Sequence, residues 1–200
     1  MDKYALSLMN ICGTCVLLCA GLSRFIYPLI SLEGRKFWIL GLMPVSRNQI
    51  LRGKFAFAAT GSLAIAETLI LASDLLIGLP WEGVALHALA VAVVALGLSA
   101  INVGLGAYLP NFKETDPSKI VAGFGGTVNM VVGLMFLVSV VGLMVVPFHV
   151  AQLTSGIRNA ADLPTSIWVY AGIPIGLLLG AVAVVLPLRA GARSLNGLEF

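Results

Sequence analysis

The chain of 200 residues is 59% hydrophobic and 10% charged, with a mean hydropathy of +1.01, against about 25% charged and about 45–50% apolar residues in soluble globular domains. That excludes an ordinary soluble domain and points to an all-α integral membrane protein. The net charge of +3 is small, no basic run suits a nucleic-acid groove, and the placement of the charges speaks to topology instead.

The first apolar run, about 4–22, is long enough to cross a bilayer, which takes about 20 residues. Six basic residues follow it and only Lys3 precedes it, the reverse of a secretory signal, so it reads as a retained span. Cys12, Cys15 and Cys19 fall on one helical face without a companion His or carboxylate, which favours a helix contact over a metal or redox site.

The segment 24–54 interrupts the apolar pattern. It carries Arg24, Arg35, Lys36, Arg47, Arg52 and Lys54 against the single acid Glu33, interleaved with Phe25, Tyr27, Phe37, Trp38, Ile39, Leu40, Leu42 and Met43. Such a mixture lies along a membrane surface or against a partner. Pro28 bends the chain, Ser31 is placed to cap a short helix carrying Phe37, Trp38 and Leu42, and Pro44 ends it. Ser46 with Gln49 forms a capping box that starts the next helix.

Span two, about 55–79, contains Glu67 and, two turns on, Asp74. A carboxylate at mid-bilayer costs at least about 2.5 kcal/mol, so these residues face protein or water, either as a possible pathway or as partners in interhelical hydrogen bonds. Span three, about 84–109, holds Ala100 and Gly104 as a close-packing pair, Asn102 as a helix-to-helix hydrogen bonder, and His87, read as a snorkelling or capping residue. Asp116 and Pro117 signal a helix start, so span four is drawn as about 117–147. That exceeds a bilayer and leaves open a projection or a break near Gly123-Phe124-Gly125-Gly126, glycines that lack the context of a phosphate loop. After a loop with Arg158 and Asp162 comes span five, about 166–188, where Gly172, Gly176 and Gly180 form a packing strip interrupted by Pro174.

With the amino terminus outside, five spans put every Lys and Arg except Lys3 and Arg158 inside, as the positive-inside rule requires. The fold expected is therefore an all-α membrane protein with about five transmembrane helices and a cytoplasmic amphipathic helix between the first and second. Residues 1–200 form one transmembrane domain, part of something longer, in the plasma (cytoplasmic) membrane with the carboxyl terminus in the cytoplasm.

Two stretches carry a family resemblance. Ser31-Leu32-Glu33-Gly34-Arg35-Lys36-Phe37-Trp38-Ile39-Leu40 with Pro44-Val45-Ser46-Arg47 and Gly53-Lys54-Phe55 resembles the cytoplasmic loop of ATP-binding-cassette exporter permeases. Gly104 to Phe112, Asp116-Pro117-Ser118-Lys119-Ile120 and Gly125-Gly126 are similar to a later loop of the same proteins. The resemblance implies the later part of a permease, the transmembrane subunit of an exporter. It implies docking of a separate P-loop ATPase through a coupling helix with Glu33, Arg35, Phe37 and Trp38, and missing helices supplied by a companion chain or a second copy.

The residues themselves contain no Gly-x4-Gly-Lys-Ser/Thr, so ATP is expected on the partner and no cofactor or metal on this chain. No nucleophile–base pair or metal-ligand cluster is evident, and no enzymatic activity is expected. The alternatives are a secondary or proton-coupled transporter using Glu67 and Asp74, and a structural or assembly membrane protein.

Overall fold

The computed structural model describes residues 2–36, 46–154 and 165–197. Within them lie α1 (Lys3–Phe25), α2 (Arg47–Ile77), α3 (Trp81–Tyr108), α4 (Pro117–Ala122), α5 (Phe124–Met144), α6 (Val146–Thr154) and α7 (Thr165–Asn196), with short 3-10 turns at Tyr27–Leu29 and Ser31–Lys36. No strand occurs among the described residues. Five helices are long and apolar enough to cross a membrane: α1, α2, α3, α5 and α7.

Helix starts follow local chemistry. Asp2 accepts a hydrogen bond from Tyr4 N at 3.2 Å to begin α1. Ser46 and Gln49 form the expected reciprocal box at α2, with Gln49 N donating to Ser46 Oγ at 3.3 Å and Ser46 N to Gln49 Oε1 at 2.9 Å. Asp116 caps α4 ahead of Pro117. Each satisfies amide groups that a helix start leaves unpaired.

Of the two alternatives left open for 117–147, a projection or a break near Gly123, the structure has the break. The chain breaks at Gly123, whose extended backbone ends α4 and begins α5, and the spanning helix is Phe124–Met144 alone. A Cβ at Gly126 would run into the Val121 backbone, so the corner is closed by a backbone contact that only glycine permits. The short helix anticipated from Ser31 is a 3-10 turn as far as Lys36, its amphipathic remainder falls on residues outside the described ones, and Ser31 Oγ accepts from Asn111 N at 3.0 Å, tying two loops together.

Helix α3 is the axis of the bundle. Val91, Val94, Leu98 and Ile101 are buried, and its most extensive packing is against α7, then α2 and α5. Lipid tails are as apolar as these side chains, so helix association rests on close packing and interhelical hydrogen bonds. The packing comes from small residues. Phe136 lies over Gly97, Pro187 against Gly104, Val93 against Gly180, Met144 against Gly176, and the Leu143 carbonyl against Gly172. A Cβ on Gly191 would stand 2.7 Å from the Gly104 carbonyl oxygen, so α3 and α7 meet backbone to backbone. Helix α7 runs unbroken through Pro174 and Pro187.

Candidate functional site

Polar side chains inside the bundle gather at two levels. In the carboxyl-terminal part of α3, Asn129 of α5 donates to Asn102 at 2.8 Å and to Ser23 of α1 at 3.3 Å, and Asn102 in turn donates to the Leu98 carbonyl. Ser62 and Ser99 join α2 to α3 at 3.0 Å. Asn102 thus bonds helix to helix.

The second level lies at the end where α1 begins and α2 gives way to α3. Gly78 adopts φ 71°, a left-handed conformation that closes α2, with Leu79 N donating to the Asp74 carbonyl in the Schellman pattern. The turn returns the chain so that Asp74 and His87 face each other, with Nδ1 of His87 at 2.7 Å from Oδ2 and both side chains wholly buried. The His149 ring of α6 stacks on His87 with centroids 5.0 Å apart and planes 10° from parallel. Ser7 of α1 lies 3.3 Å from His149 Nε2, and the Val145 carbonyl 3.1 Å from its Nδ1. Since a carbonyl only accepts, Nδ1 carries the proton and Nε2 accepts from the Ser7 hydroxyl. The result is a chain of four side chains from four helices.

His87 is therefore neither snorkelling nor capping, because the turn at Gly78 folds it inward onto Asp74. Glu67, half-buried on α2, makes no hydrogen bond or ion pair among the described residues, whereas Asp74 is bonded to His87 through Oδ2, its buried Oδ1 having no partner among the described residues. Neither lines the apolar groove of about 440 Å³ between α1 and α2, walled by Leu17, Gly21, Phe25, Phe57 and Gly61. They are equally absent from the larger cavity of about 680 Å³ beside Ser23, Pro117 and Thr127.

At the opposite end the basic residues collect. Lys54 Nζ bonds Glu33 Oε1 at 2.6 Å, largely shielded from solvent. Arg47 donates to the Leu195 carbonyl at 2.6 Å, where a cation complements the negative end of α7. Arg35 sits in the 3-10 turn, and Phe37 and Trp38 lie outside the described residues. Of the sequence-derived contact residues, Glu33 is thus held within the chain by Lys54. Among the described residues no group of three or more His, Cys, Asp or Glu forms a metal site, and Cys12, Cys15 and Cys19 are free thiols on the α1 packing face.

Compared with known families, residues 2–200 match the one described as "Putative ATP-binding cassette". The chain belongs to that family. No curated protein and no solved structure matches it. The family match corrects the assignment drawn from loop motifs. Its description is of a nucleotide-binding cassette and not of a transmembrane permease family, so the identification as a permease, the transmembrane subunit of an exporter, is set aside. The motifs occupy two short segments, the first of them partly outside the described residues, whereas the family match runs nearly end to end. What stands is an ATP-binding-cassette relation in a chain with five helices able to span a membrane.

Proposed function

We propose that this member of the ATP-binding-cassette family is an integral membrane component of its system and that the nucleotide is held by a partner P-loop subunit. One observation carries the reading: the family match takes in five spanning-length helices and a sequence with no Gly-x4-Gly-Lys-Ser/Thr. A P-loop cradles phosphate with backbone amides between a strand and a helix, and the described residues include no strand. The partner contacts the basic end, where Arg35, Phe37 and Trp38 supply candidate anchors and Glu33 orders the turn through Lys54. Aromatic and arginine side chains dominate such contacts energetically.

The charge asymmetry supports an orientation in the plasma membrane with that end cytoplasmic and the amino terminus outside. Lys113 and Glu82 are exposed at opposite ends of α3 and the loop that follows it. Cysteine placed at 113 is expected to react with an impermeant maleimide only after the membrane is permeabilised, and cysteine at 82 in intact cells. Reversed labelling overturns the orientation.

A second reading, nucleotide binding by this chain itself, is favoured by the family's description. Photolabelling with azido-ATP decides between them. The purified chain alone is expected to remain unlabelled, and a co-purifying P-loop subunit to take the label in an ATP-competable manner. Competable labelling of the isolated chain establishes the second reading instead.

A further inference from the structure

We propose that the Asp74–His87–His149–Ser7 chain is a proton-operated clamp, which holds α6 against α1 and α3 while His149 is neutral and releases it when that ring takes a proton from the side opposite the basic end. The geometry dictates the switch. Neutral His149 donates through Nδ1 to the Val145 carbonyl and accepts from Ser7 through Nε2. A second proton turns Nε2 into a donor, so the Ser7 hydroxyl must reverse and its own hydrogen is left to find another acceptor. It also sets a cation face to face with the His87 ring at 5.0 Å. Only the short helix α6 carries this ring, and α6 is not among the five spanning helices.

His87 of α3 and Asp74 of α2 are the titratable groups acting on His149, the first opposing its protonation and the second favouring it. Helix α1 offers Ser7 and, further out, Tyr4, which packs on Phe148 beneath Lys3. Glu82 of α3 is exposed, α5 has no titratable side chain, and α7 contributes Tyr170, its Arg189 and Arg193 lying toward the basic end. Burial, the largest influence, lowers the His149 pKa from 6.5, aided by His87 and opposed by the Val145 hydrogen bond and Asp74. The sign follows: a base whose folded pKa is depressed contributes stability that is complete above 6.5 and is lost as pH falls through the folded value. Acid therefore opens the clamp.

The test is hydrogen exchange of residues 146–154 in the full chain, reconstituted in nanodiscs, between pH 7.5 and pH 4.5 and corrected for intrinsic exchange. One linked proton makes the opening constant rise by up to about tenfold per pH unit between 6.5 and the lower, folded His149 midpoint, below which it levels off. His149→Gln is expected to flatten the profile. Ser7→Ala removes the hydroxyl that stabilises the neutral ring, and is expected to move the midpoint to higher pH with α6 still folded at pH 7.5. That shift is a response a merely structural contact does not give, and it serves should His149→Gln fail to fold. A wild-type profile flat to pH 4.5, a pH response retained in His149→Gln, or an unmoved midpoint in Ser7→Ala each overturns the proposal.

Discussion

Asp74→Ala is expected to destabilise the protein by about 3 kcal/mol, read as a lowered midpoint of unfolding in detergent or mixed micelles. The His87 ring is wholly buried and Asp74 is the partner of its Nδ1, while its Nε2 already lacks one. Removing the carboxylate leaves an imidazole with two unpartnered nitrogens in an apolar setting, and breaking a buried pair from one side typically costs about 3–5 kcal/mol. Asp74→Asn keeps an oxygen in reach of Nδ1 and is expected to lose less, about 1 kcal/mol, near the net worth of a hydrogen bond. The pair Asp74→Leu with His87→Phe removes both polar groups and is expected to recover more than half of the single-variant loss, because apolar replacement of both members of a buried pair is often neutral. Additive losses in the double variant defeat this account of the end of the bundle.

Gly104→Ala is the other large effect. Its Cβ would collide with the carbonyl carbon and oxygen of Pro187, and backbone on a proline-bearing helix has no rotamer with which to yield. Overpacking costs about 1–3 kcal/mol in ordinary cores, and a rigid obstacle places this site at the upper end, about 3 kcal/mol. Gly176→Ala is the control. Its Cβ meets only Met144 Cγ and Sδ, the flexible end of an adaptable side chain, so the loss is expected to stay below about 1 kcal/mol. Thermal unfolding of the two variants side by side checks the contrast, and equal losses mean that α3 and α7 do not approach as closely as described.

The five spanning helices were legible because apolar runs broken by charged or proline-rich segments record the bilayer directly. The caps at Ser46 and Asp116 were legible because capping is local. For span four, Asp116 and Pro117 marked the helix start and the glycines at 123–126 a candidate break, but the choice between a break and a projection rests on the contact of Gly126 with the Val121 backbone, which local sequence does not show. The Asp74–His87 pair left a readable signal that went unused. The two residues stand equally far from the Pro80–Trp81 bond, as partners across an antiparallel helical hairpin must, whereas the i, i+7 spacing within α2 drew Asp74 toward Glu67 instead. His149 and Ser7 meet across most of the chain, and no local pattern encodes that. The family assignment from loop motifs failed for a related reason: short motifs constrain a turn and its caps, not the kind of chain in which they are embedded.

The backbone contact between α3 and α7 also dictates an order of assembly. Ribosomes deliver α3 well before α7 exists, so the face around Gly104 is at first without the helix that fills it. Helices α1, α2, α3 and α5 are therefore made before the α3 groove can close, and arrival of α7 both seals that groove and brings its terminal carbonyls to Arg47. Formation of the individual helices and compaction of this bundle are in this way separate events.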